Sequence, residues 1–321
     1  MKMETNEIGG YLELDKYELP MLYEKATLLN CGRNCLAYLI EARNIKKIYL
    51  PYYICDSVIE VCHMYGVIVR FYNITNKFLP LQIELKKDEW LYIVNYYGML
   101  NAKEQRNLFL RYKKVIMDNS QAYFSKPIKH MDTIYVCRKY FGVPDGAILY
   151  TDAKLSRKLE KDKSYERVHF VLGRYENDAS KFYDEARKNN DLFKTESIKE
   201  MSKLTYNMLH AINYNRVKKR RSKNWKILNS KLEEINELKV ENIEGGYMYP
   251  LLLKDAVYVR KKLIEKKIYI PILWPDVLKK MPKESVEYQF AEKILPLPCD
   301  QRYNDKDMNY IIREIYNIIK R

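Results

Sequence analysis

Residues 115–150 carry the pattern that most constrains this chain. Two short apolar runs, Val115-Ile116-Met117 and Thr133-Ile134-Tyr135-Val136-Cys137, each lead into a residue with chemistry. Asp118 closes the first run. Lys139 follows the second, just before the turn Gly142-Val143-Pro144-Asp145-Gly146. Apolar runs of this length between turn residues read as buried strands. Upstream the chain alternates. The spacing predicts helices over 34–43, 57–64 and 104–112, and strands over 47–50, 67–72 and 90–95. Strands alternating with helices predict a three-layer α/β/α domain with a mainly parallel sheet. In such sheets ligands sit at the carboxyl ends of strands, where Asp118 and Lys139 both belong.

The second half changes character. A mostly helical stretch is expected from 153 to 238, with breaks. Around Glu244-Gly245-Gly246 the pattern becomes strand 247–253, helix 255–265, strand 268–272, short strand 294–297 and terminal helix 305–319. The expected division is a large domain over 1–238 and a small α+β domain over 239–321, a natural split for 321 residues.

Several function classes lose support. Cys31, Cys35, Cys55, Cys62, Cys137 and Cys299 form no C-x-x-C pair and no zinc-spaced cluster, so no metal is expected and the thiols read as reduced. No run approaches the ~18–20 apolar residues of a membrane span. The opening MKMETNEIGG has no apolar leader region, so a cytoplasmic location is expected. The net charge of +15 raises nucleic acid as a partner. Its densest part, residues 216–223, lies on a long helical pattern, where a charge run is usually a solvated face. No nucleic-acid-binding motif accompanies it. A basic surface equally attracts an anionic small substrate.

A carboxylate and an amine at two strand ends suit pyridoxal phosphate, which needs a lysine for its Schiff base and an acid for its pyridine nitrogen. Taken singly, a strand-end lysine is more often a solvated charge, and a lone Asp118 more often a turn former or N-cap. The Gly32-Arg33-Asn34 junction opens a helix and suits a phosphate, though alone it reads as an ordinary Asn N-cap.

The motifs together resemble the pyridoxal-phosphate-dependent sugar aminotransferases of the DegT/DnrJ/StrS type, in the aspartate aminotransferase fold (fold type I). Asp118-Asn119-Ser120-Gln121-Ala122 matches the family's Asp-x-x-Gln/His-Ala motif. Arg138-Lys139 with Pro144-Asp145-Gly146-Ala147 matches its lysine and acidic-Gly-Gly turn. Leu29-Asn30-Cys31-Gly32-Arg33-Asn34-Cys35-Leu36 resembles the Ser-Gly-Thr-x-Ala-Leu element. Asn95-Tyr96-Tyr97-Gly98 resembles the His-x-Tyr-Gly strand end. Their order spans nearly the whole chain.

The resemblance implies an enzyme that passes an amino group from an amino acid, glutamate first among donors, to a keto-sugar nucleotide for a surface polysaccharide. It implies a homodimer with pyridoxal 5'-phosphate on Lys139. Asp118 would hold the pyridinium nitrogen, Gln121 the ring hydroxyl, and Gly32, Arg33 and Asn34 the phosphate. Tyr53, with Tyr52 as the alternative, would stack on the ring. Three departures stand out. The usual serine before the lysine is absent, leaving Thr133 as the one nearby hydroxyl. Arg33 stands where the family has Thr. The partner-crossing Asn-Tyr-Arg-Met segment has only a loose match at 198–202, so residues 193–214 are the first place to seek the crossing. Two other readings stay open: another pyridoxal-phosphate reaction on a different keto substrate, and a non-catalytic binding protein that kept the fold. Retention of Lys139, Asp118 and Gln121 together counts against the last.

Overall fold

The computed structural model describes residues 8–320; the leader reading of the opening residues falls largely on 1–7, outside the described residues. The strands are β1 (Thr27–Leu29), β2 (Lys47–Pro51), β3 (Ile68–Tyr72), β4 (Glu89–Val94), β5 (Val115–Asp118), β6 (Asp132–Val136), β7 (Ala147–Tyr150), β8 (Met248–Leu252) and β9 (Ile294–Pro298). The helices are α1 (Gly32–Ala42), α2 (Asp56–Met64), α3 (Ala102–Tyr112), α4 (His169–Glu176), α5 (Tyr183–Leu192), α6 (Lys203–Leu209), α7 (Tyr214–Leu232), α8 (Ala256–Glu265), α9 (Val277–Lys280), α10 (Val286–Lys293) and α11 (Asp305–Ile319).

Seven strands form one sheet in the order β1-β7-β6-β5-β4-β2-β3. From β3 to β6 all neighbours are parallel, and β7 runs antiparallel to both β6 and β1. The central strands are mostly apolar because helices cover both faces. Every residue of β5 is buried, whereas edge strand β3 is largely open. The order reverses between β2 and β4, so the ends of β4, β5 and β6 line one side of a crevice suited to a ligand. The antiparallel pair β8–β9 forms a second sheet, packed with α7, α8 and α11 around Trp225, Tyr249, Leu251 and Leu295.

Two expected elements are absent. Leu155 and Leu159 have helical spacing, yet 153–161 is irregular. Its backbone groups go elsewhere: Leu155 N–H donates to the Tyr38 hydroxyl, and the Glu160 carbonyl accepts from Glu200 N–H. Those partners satisfy the chain without a helix. Residues 268–272 are not a strand either. Ile268 and Ile270 are buried in alternation, but Pro271 has no N–H to donate, and Ile268 N–H caps α8 through the Leu263 carbonyl.

Candidate active site

Asp118 is the last residue of β5, and Lys139 closes a short 3-10 turn that leaves β6. Parallel pairing of β5 with β6 brings the two ends side by side. Both Asp118 oxygens are fixed: one accepts the Ser120 N–H at 2.8 Å and the other the Tyr92 hydroxyl at 3.0 Å. The Lys139 amine donates to Ser120 Oγ at 2.7 Å. Lys139 is exposed although protein surrounds it densely, as at the floor of an open cleft. Those surroundings hold its ammonium below the ordinary lysine value, and the nearby Asp118 carboxylate opposes the shift.

Gln121 is buried, and its Oε1 accepts the Tyr97 N–H at 2.8 Å. Tyr97 has φ of 56°, a left-handed value uncommon for a bulky residue. The turn at 96–98 thus aims backbone at the Gln121 side chain.

At the phosphate junction, Cys31 is the N-cap of α1 and offers no side-chain hydrogen bond to the first turn. A Cβ on Gly32 would lie 2.7 Å from Val136 Cγ2, so glycine lets α1 begin against the end of β6. Asn34 is not a free anion ligand through its side chain: Nδ2 donates to Asn30 Oδ1 and to the Ser197 carbonyl. The Arg33 guanidinium reaches the Asn190 carbonyl and leaves Nε buried with no acceptor.

The structure does not bring Tyr53 to this cluster as a ring-stacking face. Tyr53 is 1% exposed and packs on Tyr96, Phe78, Trp274 and Phe290 in the core. Tyr52, half-exposed, stacks on Phe71. Thr133 is also misplaced for a phosphate. It lies near the start of β6, away from the carboxyl end, and donates to the Met131 carbonyl. Segment 198–202 runs beside β1, through Asn30 N–H to the Lys199 carbonyl and Met201 N–H to the Leu28 carbonyl. Asp145 of the turn is fully buried, accepting from Ser202 N–H, Ser202 Oγ and Thr205 Oγ1 at the start of α6.

Two residues without an assigned role in the sequence lie at or next to the lysine's segment. The Tyr247 ring centroid lies 5.8 Å from Lys139 Nζ. Burial pushes its phenol up to about 12, so it stays a neutral donor. Arg221 sits within the basic run, yet is 2% exposed rather than solvated. Its guanidinium lies 4.3 Å from the Tyr140 ring and donates to the Gly246, Tyr247 and Tyr140 carbonyls and to Gln301 Oε1. It thereby ties the residue after Lys139 to the segment that carries Tyr247. Among the described residues no His/Cys/Asp/Glu group has metal-site geometry, and no helix is long and apolar enough to cross a membrane.

No family model matches the chain, and no curated protein matches it. Solved structures do. A DegT/DnrJ/EryC1/StrS aminotransferase from Brucella abortus superposes with a TM-score of 0.63 at 13% identity, covering 91% of this chain and 85% of that one. DesV of S. venezuelae, solved in complex with a ketimine intermediate, gives 0.64 at 15% identity, covering 92% and 85%. NtdA of Bacillus subtilis, with bound cofactor PMP, gives 0.66 at 12% identity, covering 92% and 73%. The chain has the fold of these aminotransferases, a mainly parallel sheet wrapped by helices with a small antiparallel sheet beside it.

Proposed function

We propose that the chain is a pyridoxal-phosphate-dependent aminotransferase, moving an amino group from an amino acid to a keto-sugar nucleotide. Glutamate is the donor we assign. The observation that carries the reading is the meeting of Lys139, Asp118 and Ser120 at the ends of β5 and β6. The residues fit the cofactor on two counts. An amine and a fixed carboxylate meet at Ser120. The start of α1 has no side-chain cap, and beside it Arg33 Nε is a buried donor that an anion would satisfy.

When bound, pyridoxal phosphate supplies an electron sink next to the substrate carbon that loses and regains a proton. Lys139 Nζ would attach it and then carry that proton between substrate atoms as general base and acid. Ser120 Oγ holds the amine meanwhile. Asp118, locked by Tyr92 and Ser120, would keep a ring nitrogen protonated by charge. Gln121 Nε2 would donate to a ring oxygen, its own Oε1 being engaged by Tyr97. Arg33 and the first-turn N–H groups of α1 would take the phosphate. The net charge of +15 supports a substrate that carries a diphosphate. We further assign a homodimer, whose second copy meets this one near residues 193–214.

The test is chemical. Protein incubated with pyridoxal phosphate and reduced with borohydride should carry the adduct on Lys139 by mass spectrometry. An adduct absent from Lys139 would sink the reading. Lys139→Ala should abolish turnover with the fold intact, since an exposed side chain adds little packing.

A further inference from the structure

Three arginines gather beside α5. Arg167 is neutralised: its guanidinium holds both oxygens of Asp162 at 2.8 Å and the Asn189 Oδ1 at 3.0 Å. Arg33 and Arg138 are different. Among the described residues neither makes an ion pair. Each commits one Nη1 to a single residue of α5, Arg33 to the Asn190 carbonyl and Arg138 to Asn190 Oδ1 at 2.6 Å. Both Nε–H groups are buried with no acceptor. The Nε edge of a guanidinium is one that binds a phosphate in two-pronged fashion.

The two guanidiniums share Asn190 and so lie close together. Both cations act on the Cys31 thiol, at the N-cap of α1, where burial otherwise pushes that thiol up. Gly32 lets α1 start against Val136, three residues ahead of Lys139 in the chain. The acids that act on this pair are Asp145 and Asp191. Asp145 is already held by Ser202 and Thr205, and Asp191 pairs with Lys194. Phe193 supports the Arg138 guanidinium from beneath, with ring centroid to carbon at 4.7 Å.

We propose that Arg33 and Arg138 form a clamp for a phosphate monoester dianion at the start of α1, with Asn190 holding their outer nitrogens. Arg138 thereby replaces the hydroxyl that the chain lacks before its lysine. The identity of the phosphate's carrier rests on the cofactor reading; the clamp itself does not.

The experiment titrates wild type, Arg33→Gln, Arg138→Gln and Arg138→Lys with inorganic phosphate by calorimetry, and wild type with pyridoxal and pyridoxal phosphate by absorbance. Wild type should bind pyridoxal phosphate at least about tenfold more tightly than pyridoxal, and each Gln variant should lose about tenfold or more in phosphate affinity. Arg138→Lys should recover only part, because it restores charge without the fork. Equal affinity of wild type for the two pyridoxals, with Gln variants that bind phosphate normally, would overturn the clamp. The wild-type comparison stands even if a variant fails to fold. Failure of the cofactor reading looks different: phosphate binding is lost in the variants, yet borohydride leaves Lys139 unmodified. In that case uridine diphosphate, rather than pyridoxal phosphate, should compete with inorganic phosphate.

Discussion

At Lys139 two effects oppose each other. Dense surroundings disfavour the ammonium, and the Asp118 carboxylate favours it; the first prevails, so the amine loses its proton below the ordinary value of 10.5. Free amine is the reactive form, so reactivity falls as pH drops through that depressed value. Labelling of Lys139 by an amine reagent, followed by mass spectrometry across pH, should reach half its limiting rate below 10.5. Asp118→Asn removes the charge that favours the ammonium and should move the midpoint lower still. A midpoint that rises would contradict the assignment. The same substitution should cut turnover by at least about two orders of magnitude, because a neutral amide cannot pair with a protonated ring nitrogen. The strand-end positions of Asp118 and Lys139 were legible because each comes at or just after the close of an apolar run. Tyr53 was not placed correctly. An aromatic after a strand fits a core as well as a ring-stacking face, and only Phe78, Trp274 and Phe290, far apart in sequence, decide between them. Tyr247 was invisible for the same reason, since nothing near it in the chain shows that it overhangs the lysine.

Helix α7 shows how an element can hide its purpose in composition. Arg216 to Lys223 reads as one solvated charge run, yet a helix has an inward face whatever its composition. Val217, Arg221, Asn224, Trp225 and Leu228 fall on that face at spacings of three and four, and all are buried. The periodicity was present but carried by an arginine and an asparagine, which hydropathy scores as outward. Arg221→Met keeps much of the volume and removes the donors to the Tyr140, Gly246 and Tyr247 carbonyls. The Tyr140 carbonyl keeps the Gln301 Nε2 donor, but the Gly246 and Tyr247 carbonyls lose theirs. Buried acceptors without donors cost about 1–3 kcal/mol each, so stability should fall by at least about 2 kcal/mol in chemical denaturation. Activity of the remaining folded protein should fall too, because both sides of the lysine lose their tie. Unchanged stability would return Arg221 to the solvated class. A second element-level test is Gly32→Ala. The added methyl meets Val136 Cγ2, and overpacking of this kind costs about 1–3 kcal/mol. The elements misread, 153–161 and 268–272, share one cause. Their side-chain periods are real, but periodicity reports which residues are buried and is silent on where the backbone hydrogen bonds go.

For the whole molecule, the parallel sheet and its crevice could be read from alternating patterns, whereas the antiparallel course of β7 beside β1 could not. β1 is only three residues long and depends on β7 for pairing. The assembly is a harder question, because two copies each carrying +15 repel one another. A dimer of such chains must bury enough surface to overcome that repulsion, and salt must help it. The Debye length is about 10 Å at 0.1 M salt and about 30 Å at 0.01 M, so charges over the whole surface oppose association only in dilute salt. At micromolar protein in 0.15 M salt, light scattering should therefore give twice the chain mass of 38.7 kDa. Lowering the salt should shift the average mass toward the single chain. If the second copy completes the cleft near residues 193–214, specific activity should fall along the same salt curve. A chain that stays at 38.7 kDa in every salt, with undiminished activity, would show that one copy holds a complete site.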